Sequence, residues 1–306
     1  MLTTFYHPGY AAPIGDHIMP IRKFGLVAKE VGELPFVKLA EPTPVTEADL
    51  LRVHTPEYIN AIRTGEPRDL AESQKFPWSP QLYPSVLLTN GGCRAAAEHA
   101  ISHGSSAALV SGFHHASADH GEGFCTFNGL IVAIEALRAS SHIQTCAILD
   151  CDLHYGNGTA ALAASRPYIQ AVSVYGNDYN NNEAFRDVQT LHHEDGVNHR
   201  SIPLRSRATL EDLLPALEQA FAMILERGRP DLLLYQAGAD PFHLDPYSPL
   251  ELDHDDLLRR DEEVFAFAHG QSIPIAWVLA GGYTPDVRQV VKVHVNTFEA
   301  WRRVFG

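Results

Sequence analysis

"TCAILDCDLHYGNG", Thr145 to Gly158, begins as an apolar run and ends in charge. Ala147, Ile148 and Leu149 show no polar alternation, the pattern of a strand buried on both faces of a parallel sheet. Directly after them Asp150, Asp152 and His154 fall at every second position. In extended chain that spacing puts two carboxylates and an imidazole on one side. A buried strand that ends this way is built to hold something at its carboxyl end.

Similar apolar runs recur along the chain: "SAALV" (Ser106–Val110), "IQAVSV" (Ile169–Val174), "DLLLYQA" (Asp231–Ala237) and "IPIAWVLA" (Ile273–Ala280). Helical patterns separate them. "YPSVLLTNGGCRAAAEHAISHG" ends at Gly104, a suitable C′ glycine, and "GLIVAIEALRAS", "ATLEDLLPALEQAFAMILERG" and "DHDDLLRRDEEVFAFAHG" carry apolar stripes. "HTPEYINAIRTG" starts a helix with Thr55 as N-cap and Pro56 at the first helical position. The Pro-rich stretch "TGEPRDLAESQKFPWSPQLYP" reads as a long surface loop. Alternating strands and helices predict an α/β fold: one domain over residues 1–306, a central, mostly parallel sheet, and helices on both faces.

The composition agrees. With 306 residues, 45% of them hydrophobic, the chain can bury a large core without dividing. A formal net charge of −14 disfavours nucleic acid and anionic membranes as partners and suits a basic or neutral substrate. "MLTTFYHPGY" lacks a basic region followed by an apolar core, and no apolar stretch reaches membrane-span length, so a cytoplasmic location is expected. The four cysteines form no C-x-x-C pair, which indicates neither a zinc knuckle nor a redox motif.

The unusual residues gather at strand ends. His114 and His115 follow Val110, Asp150, Asp152 and His154 follow Leu149, Asp240 follows Tyr235, and Tyr283 follows Leu279. Open α/β sheets bind ligands along that edge. Asp152, His154 and Asp240 make a metal set of two carboxylates and one imidazole, and three protein ligands with an open position is the catalytic pattern. Asp150 is then left to hold the Nδ1–H of one histidine, and Asn157 is placed to hold the other as a neutral partner. The histidine held by aspartate is the more basic of the two. The Gly281-Gly282 turn lets the backbone come close and the Tyr283 phenol swing inward as a donor to a carbonyl oxygen. Gly121, Gly123, Phe124 and Cys125 in "HGEGFC" suggest a close-approach loop with one aromatic wall.

Taken in order, "HPGY", "GFHHASADHGEGFC", "LDCDLHYGNGT", "QAGAD" and "LAGGY" resemble the zinc-dependent histone deacetylase family of the arginase–deacetylase fold. "MPIRKFGLV" and the stretch leading into "LAGGY" are most similar to its smaller, class IV type and bacterial relatives. The resemblance implies one Zn²⁺ held by Asp152, His154 and Asp240. It makes His115 the main general base and then acid, supported electrostatically by His114 on Asp150. It gives Tyr283 the carbonyl oxygen, and Gly123 and Phe124 the wall of an acyl-lysine tunnel. It also implies a structural K⁺ near Asp150, Asp152 and His154, completed by the Ser173 hydroxyl. Tyr179 and Phe185 both stand open as the second tunnel aromatic. "DPYSPL" (Asp245–Leu250) replaces the family's usual Asp-Pro-Leu-Gly-Gly at the far pocket wall. Glu66, Asp69 and Glu72 are candidates for an acid at the rim.

The implied activity is hydrolysis of an acylated amine, either the acyl-lysine of a protein or peptide or, alternatively, an acetylated polyamine. A two-metal ureohydrolase on the same fold would need more acids beside Asp240 than the sequence offers. A binding module for acyl-lysine would not need a complete set of ligands, bases and tyrosine.

Overall fold

The computed structural model describes residues 1–15, 17–179 and 196–306. Its strands are β1 (Leu2–Phe5), β2 (Val37–Ala40), β3 (Ser105–Ser111), β4 (Cys146–Asp150), β5 (Ile169–Tyr175), β6 (His199–Pro203), β7 (Leu233–Ala237) and β8 (Ile275–Leu279). They form one sheet in the order β2-β1-β3-β8-β7-β4-β5-β6, and every pairing is parallel. Helices cover both faces. The five apolar runs become β3, β4, β5, β7 and β8, each end within two residues of expectation. The other three strands carry no such run: "LTTF", "VKLA" and "HRSIP" are short and mixed, at or beside the sheet's edges, where one face or one side stays partly open.

The central strands are buried throughout; Leu109, Ile148, Leu149, Val172, Leu233 and Trp277 are wholly inaccessible. Each such side chain contributes roughly 1.5–3 kcal/mol on leaving water. The helix Leu82–His103 packs on β3 and β8 and stops at Gly104, whose φ of 88° a side chain would disfavour. Thr55 caps the helix Pro56–Thr64, accepting the Tyr58 N–H. The Pro-rich stretch corrects one expectation. It forms a short helix, Arg68–Ala71, and turns Gln74 and Phe76 into the protein, so it is only partly a surface loop. Among the described residues no helix is long and apolar enough to cross a membrane.

β3, β8, β7 and β4 are consecutive in the sheet. The chain segments leaving their carboxyl ends therefore meet, although they lie up to 168 residues apart in sequence (Ser111 to Leu279).

Candidate active site and metal centre

Asp152, His154 and Asp240 are buried and converge, their ligand atoms all within 4.8 Å of one another. His154 Nδ1 lies 3.2 Å from Asp152 Oδ1 and 3.1 Å from Asp240 Oδ2. The backbone fixes the opposite oxygens: Gly281 N–H donates to Asp152 Oδ2 at 2.7 Å, and Leu153 N–H donates to Asp240 Oδ1 at 3.0 Å. Asp240 is thus anchored by one oxygen and presents the other, while Asp152 Oδ1 also accepts the His154 N–H at 2.9 Å. A Cβ on Gly281 would stand 1.9 Å from Asp240 Oδ2, so only glycine lets this turn close over the carboxylates.

This donor set fits a metal. The two spacings from His154 Nδ1, 3.2 and 3.1 Å, are about the edge of a tetrahedron on ~2.0 Å bonds, and two oxygens with one nitrogen suit zinc. The charges point the same way. Burial, and then the charge of Asp152, raises Asp240 to about 6. Burial opposes ionisation of Asp152 too, but His114 and His154 hold it well below the usual carboxylate range. For His154, burial is outweighed by its hydrogen bonds to Asp152 and Asp240, which raise it to about 10. Without a metal a proton sits among these groups, and a divalent cation would take its place.

Beside this centre lie the two histidines, ring centroids 4.0 Å apart. His114 Nδ1 is 2.7 Å from Asp150 Oδ2, and its Nε2 is 3.7 Å from Asp152 Oδ1. His115 Nδ1 is 2.6 Å from Asn157 Oδ1. The two environments differ. Burial would lower His114, but Asp150 and Asp152 raise it; burial, His114 and His154 push His115 well below its ordinary value. His115 is therefore neutral near pH 7.

Phe124 and Gly123 occupy a tight hairpin turn. Cys125 N–H donates to Glu122 O at 2.7 Å, Glu122 N–H donates to Cys125 O at 3.1 Å, and the two residues between have φ of 51° and 65°. A Cβ on Gly123 would meet His115 at 2.4 Å. The turn rests on the Pro-rich stretch, since Phe124 N–H donates to Gln74 O and the Phe124 ring stacks on Phe76 at 5.8 Å. Tyr283 faces this wall, with ring centroids 6.2 Å from both Phe124 and His154. Burial, reinforced by Asp240 and Asp152, raises the Tyr283 phenol far above its ordinary value, so it keeps its proton and can donate.

Tyr179 stacks on His115 at 3.7 Å; Phe185 lies outside the described residues. Ser173 pairs in register with Asp150 and lies 3.2 Å from His199 Nε2. Of the rim candidates, Glu66 and Glu72 pair with Arg68, and Glu72 also accepts the Trp78 N–H.

Sequence reasoning missed four residues here. Lys23 is fully buried, donates to Ala280 O at 2.5 Å and stands 5.9 Å from the Tyr283 ring. Burial lowers it to about 8, against the pull of Asp240, Asp152 and Asp245. Asp245 holds the Tyr283 backbone, and Tyr247 packs at 5.2 Å from the Tyr283 ring. Glu122 accepts from Asn157 at 2.6 Å. Lys23 does not stand out by itself, because it directly follows Arg22 in "MPIRKFGLV".

The sheet thus carries at its carboxyl edge a buried set of two carboxylates and an imidazole that could hold a metal, with a histidine pair beside it. The sequence pattern of the histone deacetylase domain matches residues 17–298. This chain belongs to the histone deacetylase family. Histone deacetylase 2 of Arabidopsis thaliana is 29% identical over 90% of this chain and 72% of its own length. The fold matches the crystal structure of the HDA15 HD domain with a TM-score of 0.82 at 19% identity, covering 98% of this chain and 90% of that one. It also matches an acetylpolyamine aminohydrolase from Burkholderia pseudomallei with a TM-score of 0.78 at 20% identity, covering 99% of each chain.

Proposed function

We propose that the protein is a zinc-dependent deacylase that cleaves the amide of acyl-lysine, acetyl or longer, in proteins or peptides. The observation that carries this reading is the convergence of Asp152, His154 and Asp240 beside a neutral His115 and a protonated Tyr283. Zinc bound there would supply Lewis acidity toward a water and the amide carbonyl. His115, neutral and with Nδ1 engaged by Asn157, takes the water proton on Nε2 as the oxygen attacks the carbonyl carbon. Tyr283 donates its hydroxyl proton as a hydrogen bond to the carbonyl oxygen as negative charge develops there. The proton held by His115 then passes to the leaving nitrogen, giving a carboxylate and a free amine. His114, on Asp150, supports that transient positive charge. Phe124 and Gly123 line the passage for the lysine side chain, with Tyr179 opposite His115.

Among the described residues a single group of three candidate ligands occurs, which favours this chemistry over a two-metal ureohydrolase. One zinc per chain follows from this reading, as does a structural K⁺ near Asp150, Asp152, His154 and Ser173. All four cysteines are buried and unpaired, in keeping with a cytoplasmic protein. On the same reading, residues 1–306 form one deacetylase domain.

The second reading, acetylpolyamine hydrolysis, is favoured by the match in fold to the Burkholderia enzyme and by the net charge of −14. One experiment separates the readings: kcat/KM of the zinc-loaded protein on acyl-lysine peptides against acetylated polyamines. Higher values on peptides support the first, higher values on polyamines the second. No turnover of either class, with zinc bound, leaves a binding module.

A further inference from the structure

Resting on that reading, we propose that Glu122 is a positioning residue that sets the tautomer of His115 through the side-chain amide of Asn157. Three groups form a line: His115 Nδ1 lies 2.6 Å from Asn157 Oδ1, and Asn157 Nδ2 donates to Glu122 Oε2 at 2.6 Å.

An asparagine amide has nearly the same shape either way round and offers an acceptor or a donor according to how it is turned. Imidazole Nδ1 likewise accepts or donates. A histidine–asparagine pair therefore permits two arrangements, and only one leaves Nε2 with its lone pair. The other puts the proton on Nε2, where no base is left.

Glu122 breaks the symmetry. A carboxylate accepts and cannot donate, so the amide must turn its NH₂ toward Glu122 and its oxygen toward His115. Nδ1 then carries the hydrogen, and Nε2 is the one ring nitrogen able to take a proton. Polarisation by the carboxylate also makes Asn157 Oδ1 a stronger acceptor. His114 reaches the same end without an amide, because its partner Asp150 is itself a carboxylate.

Glu122 is well placed for this. It opens the Gly123-Phe124 turn, exchanges both backbone hydrogen bonds with Cys125, and is flanked by Gly121, whose N–H donates to Ser73 Oγ at 2.9 Å. Asn157 opens the helix Asn157–Ala163. Neither residue can drift without carrying its backbone along.

The test uses the zinc-loaded full chain. Glu122→Gln keeps size and hydrogen bonding but lets both amides turn. We expect kcat to fall about 10- to 100-fold with KM nearly unchanged, the scale on which supporting residues act. ¹⁵N NMR of histidine-labelled protein should show His115 moving from the Nδ1–H form to a mixture of tautomers. Asn157→Asp in the same chain places a carboxylate directly on His115 and should restore most of the lost kcat, whereas Asn157→Asp alone, with two carboxylates facing, should stay impaired. An unchanged kcat and tautomer in Glu122→Gln overturns the proposal. So does a loss that Asn157→Asp fails to restore, which would mean damaged structure rather than lost tautomer control. The NMR comparison needs no turnover, so failure of the deacylase reading is seen separately.

Discussion

Asp245 Oδ2 accepts the backbone N–H of Tyr283 at 2.6 Å, while Asp245 Oδ1 accepts that of Tyr247 at 3.1 Å. One buried carboxyl group thus ties together two tyrosines whose rings lie 5.2 Å apart beside the metal centre. Burial, and then the charge of Asp240, raises Asp245 to about 7, against roughly 3.9 in the unfolded chain. Its folded form therefore retains a proton that the unfolded chain has released between these values. Stability is lost as pH rises through that window. In the metal-free protein, Asp245→Asn should gain thermal stability over the parent as pH rises from 5 to 8, by about 2 °C or more. Melting curves at the two pH values check this; an equal difference at both would remove the raised carboxyl from the account.

Tyr283 sets the second expectation. If its hydroxyl stabilises the developing oxyanion, Tyr283→Phe lowers kcat by roughly 10²–10³, the scale seen for losing one such donor. KM should change little, because the hydroxyl acts mainly in the transition state. Steady-state kinetics on an acyl-lysine peptide decide the matter. A parent-like kcat would reduce Tyr283 to a packed strand-end residue.

Metal content gives the third. Asp152 and Asp240 come from different strand ends, so Asp152→Ala or Asp240→Ala removes one ligand and leaves the sheet intact. Zinc measured by mass spectrometry should be near one equivalent per chain in the parent and far lower in either variant, while circular dichroism is unchanged. Two equivalents in the parent would instead point to ureohydrolase-type chemistry.

How much of this was legible depends on how far each residue's partners lie. The strand ends carrying His114, Asp152, Asp240 and Tyr283 could be read locally, because a buried parallel strand shows itself as an apolar run and charge just after it stands out. β1, β2 and β6 could not, since strands at or next to a sheet's edge stay partly open and need no such run. Glu122 sat in view within "HGEGFC", a stretch informative for its glycines, yet its role depends on Asn157, 35 positions on. Phe76 was hidden differently: nothing in a Pro-rich stretch foretells that its ring will back Phe124. Lys23 and Asp245 act through backbone atoms of the Ala280–Tyr283 turn, and backbone contacts leave no mark in side-chain spacing.

The acyl group itself gives the last expectation. The pocket at the metal centre is walled by Met19, Phe113 and Phe124, and these same three residues also line a neighbouring apolar pocket with Tyr10, Ile14 and Phe24. A chain longer than acetyl therefore has apolar surroundings to enter once it passes that shared wall. Each methylene moved from water contributes about 0.8 kcal/mol, so ten more supply at most ~8 kcal/mol. A third of that, expressed in the transition state, is on the order of a hundredfold in kcat/KM. We expect kcat/KM on one peptide to rise from acetyl-lysine to octanoyl- and dodecanoyl-lysine. A steady fall with chain length would mean that the Met19–Phe113–Phe124 wall is closed. The hydrolase would then be limited to short acyl groups, with its metal chemistry untouched.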